Sequence, residues 1–492
     1  LPMTISRRQL LQTACVGPFV ARAQTRLDKL LKRDLGRLNF EATTLGLGGQ
    51  ASLQWTPEGV DPVLIILKAF HLGINYFDTS NAYGPSQLNY GKAFRELHLI
   101  PGEPGYNQKL RESIFLTSKT GQRWAKGGVP NPKIRNFGNG PAGSHAADDV
   151  RRTLSQIFGD GEGNYPKGAY LNLVLCHALS TLEEVEALYT GLDKTDAKAE
   201  HIGTLAVLRD LRDGTNLTGL NPKEEKLIRH VGFSGHNSPP VMIEMLQRDT
   251  GNLLDGMLVA INANDRLHFN MQYNNIPVAA ARKMGLIGMK TFADGSMYGK
   301  QPMFSNNPSH VIRTIGNASL PSHPLIQYSL TTPGIGTLIV GTGHIDDDPK
   351  KCQLGQNLIA AQIKPTGLSM SDRRAIEKTT ATVQDGKTNY FQLPHQDLTP
   401  PRDVALSRDA AGGMSIVKLT WQTAYAGDEP ISHYEVLRDG QKIGSVNYRP
   451  QVDKTAFLFE DKTAAGGSHK YVVATVDAIG RRAEAGELTA SA

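Results

Sequence analysis

Residues 77–84 read FDTSNAYG, and they end an apolar run that begins at Ile74. An apolar run of that length, stopped by Asp, Thr and Ser, has the pattern of a short buried strand that finishes in polar residues. Three further segments are built alike: FLTSKTG at 115–121, LVLCHAL at 173–179 and GFSGHN at 232–237. Working outward, runs of this kind fall at 45–48, 74–78, 113–118, 171–177, 230–234, 257–261, 286–290 and 337–341. Amphipathic stretches, with apolar residues recurring three and four apart, lie between them, for example at 62–72, 146–157, 182–189, 239–247 and 276–284. Strand and helix alternating eight times predicts an α/β fold, a (β/α)8 TIM barrel, whose active site lies at the C-terminal ends of the strands.

At those ends stand Asp78, Tyr83, Lys119 and His177, which together make a proton-transfer set. A phenol titrates near pH 10, so Tyr83 exchanges a proton near neutrality only if a cation stabilises its phenolate. Lys119 is the candidate cation. Asp78, five residues before Tyr83, is placed to hold the ammonium, and His177 to hydrogen-bond a substrate oxygen. This is the equipment of a carbonyl/alcohol redox site.

The four segments, in this order, resemble the aldo-keto reductase superfamily. Its Asp-Thr-x-x-x-Tyr-Gly pattern appears as Asp78, Thr79, Tyr83 and Gly84. Ser118, Lys119 and Thr120 match the lysine strand, Cys176 and His177 the histidine strand, and Gly232, Phe233 and Ser234 the strand that reaches the nicotinamide carboxamide. Residues 32–49, KRDLGRLNFEATTLGLGG, are similar to the family's N-terminal hairpin. The resemblance implies an NAD(P)-dependent oxidoreductase that moves a hydride between nicotinamide C4 and a carbonyl carbon. Tyr83 then gives a proton to the alkoxide in reduction and takes one in oxidation, while His177 fixes the oxygen. The substrate is a small-molecule carbonyl, alcohol or sugar. The cofactor is NADP or NAD, its adenosine end held by GTGHIDDDPKKCQLGQN at 341–357, with Gly341, Thr342 and Gly343 near the phosphates and Asn357 near the adenine. Lys290, Ser234, Gly235 and Asn262 complete the cofactor set. Two departures stand out. His344 and Asp346 to Asp348 occupy positions where NADP-preferring members place Arg or Lys, so the choice between NADP and NAD stays open. Gly235 replaces the usual asparagine, which leaves Ser234 and Asn262 to grip the carboxamide. Two rival readings are a redox-neutral enzyme that regenerates a tightly bound NAD(P) within each cycle, and a non-catalytic cofactor-binding scaffold.

Composition narrows the classes further. A chain of 492 residues with 39% hydrophobic content is long enough for one barrel and a smaller domain. The net charge of +6 is spread over 53 basic and 47 acidic residues with no basic block interleaved with aromatics, which argues against a nucleic-acid partner. Three cysteines provide neither a disulfide framework nor a metal cluster, and Cys176 reads as a core residue. Ser6 to Leu11, SRRQLL, followed by a weakly apolar stretch and Ala21-Arg22-Ala23, looks like a twin-arginine signal peptide over 1–23 and predicts a periplasmic or otherwise exported protein. Lipidation at Cys15 is the rival, against which Gln12 stands. The apolar stretch is too short to span a bilayer.

The barrel is expected over 24–383. Within it, the loop 121–145 is rich in Gly, Pro and Asn and is expected to overhang the site; Trp124 either stacks on a sugar ring or other apolar substrate face or packs its own loop. The insertion 192–222, charged in its first part, carries no evident role. A polar, proline-punctuated linker at 384–397 leads to a β-patterned region, 398–492, with strand candidates at 415–421, 433–438, 442–446, 456–460 and 471–477. Its Pro-Pro entry, Trp421, HYEVLRDG and YVVATVDAIG resemble a fibronectin type III sandwich, which makes Trp421 a core residue and leaves surface or carbohydrate contact as the domain's expected task.

Overall fold

The eight apolar runs do close on themselves. In the computed structural model, which describes residues 30–388, 390–411, 414–462 and 467–491, strands β1 (Leu45–Leu47), β2 (Tyr76–Asp78), β3 (Phe115–Thr120), β4 (Leu171–Leu179), β5 (Ile228–Gly235), β6 (Leu254–Ala260), β7 (Gly285–Met289) and β8 (Thr337–Val340) form one closed barrel. Each strand pairs in parallel with its neighbours, and β8 returns to β1 with Leu338 opposite Leu45. Parallel strands covered on both faces must be apolar throughout, which is why these runs do not alternate. Residues 1–23, read in the sequence as a twin-arginine signal peptide, and with them Cys15, lie outside the described residues.

The N-terminal end of the barrel is stoppered by an antiparallel hairpin, Lys32–Asp34 with Glu41–Thr43. Leu38 from its turn is buried against Gly285, where an added Cβ would lie 2.4 Å from the leucine. The segment 192–222, to which the sequence assigned no role, is structured. It holds the helix Thr204–Asp213, ended by Gly214 at φ 73°, as left-handed helix stops require. The Asp210 carboxylate then accepts from Thr215, Leu217 and Thr218 and ties down the return loop. Ahead of this helix, Ile202–Gly203 pairs with Trp124–Lys126 of the loop after β3.

A second compact unit gathers 391–492 with two segments between barrel strands, 236–252 and 264–283, so its limits differ from those read in the sequence. Strands β9 (Arg402–Ala411), β10 (Met414–Gln422), β11 (Ile431–Arg438), β12 (Gln441–Asn447), β13 (Phe457–Asp461), β14 (His469–Asp477), β15 (Arg482–Glu484) and β16 (Leu488–Ala490) form two antiparallel sheets, β9-β10-β13 and β12-β11-β14-β15, with β16 on β14. Trp421 is fully buried, stacked on Phe457 at 6.0 Å and edge-on to Tyr434 at 5.4 Å. The end of the stretch read as a linker is fixed within this unit, since Phe391 packs on His236 and its carbonyl accepts from Asn237. Buried amides join the interstrand segments to the C-terminal sheets: Gln247 donates to the Gln451 carbonyl at 2.8 Å, and Asn274 exchanges two bonds with Ala426. Asn274→Ala strips both backbone groups of Ala426 of this partner and is expected to lower stability by about 1–3 kcal/mol. Urea unfolding of the full chain measures it; an unchanged midpoint would mean that the amide seals nothing. Among the described residues no helix is long and apolar enough to cross a membrane, and no group of His, Cys, Asp or Glu is placed to hold a metal ion.

Candidate active site

Asp78 is the last residue of β2 and Lys119 the fifth of β3, so the parallel register brings both to one end of the barrel. Their side chains are buried and meet at 2.5 Å, and Lys119 Nζ also donates to the Thr79 carbonyl at 2.8 Å. The turn after β2, in which the Tyr83 amide donates to the Ser80 carbonyl, folds the tyrosine back over this pair. Its ring centroid lies 4.6 Å from Lys119 Nζ. From β4, His177 places Nε2 3.5 Å from Tyr83 Oη and Nδ1 3.2 Å from Ser80 Oγ. All four expected residues are therefore brought together.

Their electrostatics depart from expectation at one point. Burial pushes the Asp78 carboxyl up and the Lys119 ammonium down, and each opposes the other's shift. The Tyr83 phenol, expected to be lowered by Lys119, is instead raised well above its ordinary value, first by burial and then by Asp78, Tyr390 and Asp294. The lysine's charge is spent on Asp78 and the Thr79 carbonyl rather than on the phenol oxygen. Tyr83 is thus a neutral phenol at neutral pH, the form that donates a proton.

Asp78 and Tyr83 line a cleft of about 960 Å³, open mouth included, that runs between β1, β7 and β8 to Gly341 and Asn357. Sequence reasoning named Lys290 in its wall beyond β7 but missed Thr291, Asp294 and Tyr298 there. There Lys290 Nζ lies 3.2 Å from Gln50 Oε1 and 3.5 Å from Asp294 Oδ1, while Asp294 is also paired with the buried Lys300 at 2.9 Å. Lys290 and Asp294 both adopt φ near +60°, a conformation that costs free energy in non-glycine residues and clusters at functional sites. The Asp-Gly pair at 294–295 was the sequence signal for this turn.

The cleft suits a nicotinamide nucleotide. Thr291 Oγ1, Tyr298 Oη, Ser322 Oγ and Asn357 Oδ1 belong to residues that line it, are buried, and have no hydrogen-bond partner among the described residues. Buried polar atoms are rarely left so, and a ligand rich in hydroxyl, amide and phosphate groups would satisfy them. Gly48 and Gly341 supply close backbone approach, since a Cβ on Gly48 would stand 3.0 Å from the Gly341 nitrogen. Of the expected cofactor residues, Lys290, Gly341 and Asn357 line the cleft, whereas Ser234, Gly235, Asn262, Thr342 and Gly343 do not. The Gly343 amide donates to Gln353 at 2.6 Å, and its carbonyl accepts from Ser52. Ser234 Oγ accepts from the Ala178 amide at 2.8 Å, and Asn262 Nδ2 donates to the Lys290 carbonyl. Trp124 is 7% exposed and lies outside the cleft lining, its ring 6.0 Å from His201 and close against Gly128; it packs its own loop.

Beside Lys119, Thr120 Oγ1 donates to Asp149 at 2.7 Å, and Arg152 pairs with the same carboxylate at 3.1 Å. Burial nevertheless raises the Asp149 carboxyl to about 6. The folded state then binds more protons than the unfolded state between pH ~4 and ~6, so this group's contribution to stability falls as pH rises through that window. Asp149→Asn removes the dependence. Its stability relative to the parent is expected to rise by up to about 3 kcal/mol across the window, and parallel melting curves at the two pH values check it.

A family model described as the aldo/keto reductase family matches residues 44–313. Among solved structures, an aldo-keto reductase from Klebsiella pneumoniae in complex with NADPH is 17% identical, with a TM-score of 0.41, and the match covers 71% of this chain and 95% of that one. A second structure, an aldo/keto reductase from Klebsiella pneumoniae with NADP and acetate, is 16% identical with a TM-score of 0.42 and the same coverages. The fibronectin(III)-like modules of Clostridium thermocellum CbhA match 19% of this chain and 88% of theirs at 27% identity, with a TM-score of 0.13. No curated protein matches. The family model spans more than half of the chain and includes β1 to β7 of the closed barrel, so this chain is a member of the aldo/keto reductase family and an oxidoreductase.

Proposed function

We propose that the protein transfers a hydride between a bound nicotinamide nucleotide, NADP or NAD, and a carbonyl or alcohol substrate, with Tyr83 as the proton donor in reduction. One observation carries this reading: the buried Lys119 and Asp78 pair sits under the Tyr83 ring, and Tyr83 Oη and His177 Nε2 stand 3.5 Å apart beside a cleft lined with unpartnered polar atoms. A substrate oxygen seated against those two atoms is positioned for proton transfer and oriented by a second polar contact. When bound, the nucleotide supplies or accepts the hydride at nicotinamide C4. Lys290, Gly341, Asn357, Thr291 and Ser322 are the residues that would hold it.

The chain's own part in the reaction is the proton. The neutral Tyr83 phenol gives it to the forming alkoxide, and the Lys119 ammonium, kept in place by Asp78, faces the ring that is left anionic. Because burial holds the phenol above its ordinary value, Tyr83 carries its proton at neutral pH, the form that reduction requires, whereas oxidation requires the phenolate and so gains in rate as the solution becomes more basic. Trp55 lines the cleft and meets Phe304 edge-on at 5.8 Å, and Phe304 in turn meets Tyr390 at 6.0 Å. This apolar wall suits the ring face of a sugar or an aryl aldehyde. The two antiparallel sheets around Trp421 support a fibronectin type III-like sandwich in the C-terminal region.

Titration with NADPH and, separately, NADH, followed by nicotinamide fluorescence, tests the reading. Saturable binding of at least one nucleotide is expected, and Asn357→Leu should weaken it about tenfold, equivalent to about 1.4 kcal/mol. Failure of both nucleotides to bind would sink the proposal.

A further inference from the structure

We infer that Glu184, through Arg123 and Arg135, fixes the backbone at His177 and Ala178 and thereby the direction in which the imidazole leaves β4, which makes these three positioning residues for the proton-transfer step proposed above.

The backbone there is irregular. Pairing of β4 with β5 shifts register between Cys176 and Leu179, and Ala178 has φ +54°. An alanine holds that conformation only where its surroundings enforce it. Three hydrogen bonds do so. Arg123 Nη2 donates to the His177 carbonyl at 2.8 Å, Arg135 Nη2 donates to the Ala178 carbonyl at 2.5 Å, and the Ala178 amide donates to Ser234 Oγ at 2.8 Å. One carboxylate joins the two guanidinium groups. Glu184 Oε1 lies 3.0 Å from Arg135 Nε and 3.4 Å from Arg123 Nη2, and Glu184 Oε2 accepts from the Ser180 amide at 2.9 Å. The side chains of Arg123 and Glu184 are wholly buried.

The same loop also touches the ring. Phe137 lies 5.2 Å from the His177 imidazole and 5.6 Å from the Arg123 guanidinium, and its amide bonds the Gly121 carbonyl. Asn136 Oδ1 accepts from the Arg123 amide at 2.8 Å. The segment after β3, expected to overhang the site, therefore grips the histidine strand end.

A carboxylate buried between two guanidinium groups is a poor source of stability, because desolvation offsets the attraction. Its tangible effect here is geometric: it holds three backbone atoms beside a residue whose Nε2 must converge with Tyr83 Oη on one substrate oxygen. A displacement of about 1 Å at such a site costs about 10² in rate.

The test uses the full chain with nitrobenzaldehyde and NADPH or NADH, and histidine-labelled protein for imidazole NMR. Arg135 is half exposed, so Arg135→Ala removes the Ala178 carbonyl bond with little risk to folding; Arg135→Lys and Glu184→Gln accompany it. For Arg135→Ala, kcat is expected to fall about 10- to 100-fold with the nucleotide dissociation constant unchanged, while the His177 imidazole resonances move. Arg135→Lys should recover part of both signals, and Glu184→Gln should reproduce the loss. Unchanged kcat and unchanged imidazole resonances in Arg135→Ala would overturn the inference, whatever happens to its melting temperature. Should the parent protein turn over no substrate, the proposed reaction fails while the resonances still judge the clamp, so the two failures are distinguishable.

Discussion

Replacing Tyr83 with phenylalanine is expected to lower reductive turnover by about 10² to 10⁴ while leaving nucleotide binding intact. The substitution removes one hydroxyl and nothing else. The ring that remains still covers Lys119 Nζ, 4.6 Å from its centroid, and keeps its edge-to-face contact with His177 at 5.6 Å. Tyr83 is almost fully buried, so water does not readily take over the lost proton donor. Single-turnover measurements with a saturating aldehyde separate this effect from substrate binding. Undiminished turnover would move proton donation to another group, with His177 the next to test.

Lys119→Met is expected to cost about 3–5 kcal/mol of stability in addition to its effect on turnover. The methionine leaves Asp78 buried, with Oδ2 already lacking a hydrogen-bond partner among the described residues and Oδ1 now deprived of its own. Burial raises the Asp78 carboxyl even in the parent, and Lys119 is the chief influence holding it down. Without the lysine the folded form prefers the neutral acid. The folded state then binds more protons than the unfolded one, so the variant is most stable below the ordinary carboxyl range and loses stability as pH rises above about 4. The gap between variant and parent should therefore widen from pH ~5 to ~8 in urea unfolding. Adding Asp78→Asn should recover part of the loss and flatten this dependence. If the double variant were no more stable than the single one at the higher pH, the buried carboxylate would not be the cause.

The barrel was legible because its strands are apolar throughout and its helices periodic, and the proposed proton-transfer set because each member lies near or just beyond the C-terminal end of a strand. Parallel register alone then carries Asp78 and Lys119 to the same rim. What the sequence hid depends on distances between segments far apart in the chain. The phenol of Tyr83 is raised rather than lowered because Lys119 spends its charge on Asp78, a preference visible only once both are buried together. Gly343 looked available to phosphates, yet its amide is taken by Gln353, ten residues on. Trp124 read either as a stacking platform or as a residue packing its own loop, and the choice depended on Ile202–Gly203, which pairs with its strand far along the chain and leaves the ring buried. The Thr204–Asp213 helix did carry a signal, with Leu205, Leu208 and Leu211 at three-residue spacing, but it was obscured by the charged residues before it. Gln247, Asn270 and Asn274 read as ordinary polar positions, and only the fold shows them buried and bonded to the carbonyls of Gln451, Gly427 and Ala426.

In the proposed reaction this cleft passes a hydride between nicotinamide C4 and a carbonyl carbon beside Tyr83. The most direct measurement is a single-turnover reaction of the protein with the reduced nucleotide, NADPH or NADH, carrying two deuterium atoms at C4, and nitrobenzaldehyde, with the alcohol examined by mass spectrometry. Deuterium is expected on the carbinol carbon, and Tyr83→Phe is expected to form almost none of this labelled alcohol. An alcohol that carries no deuterium, or labelled alcohol formed at the same rate by Tyr83→Phe, would contradict the proposed reaction.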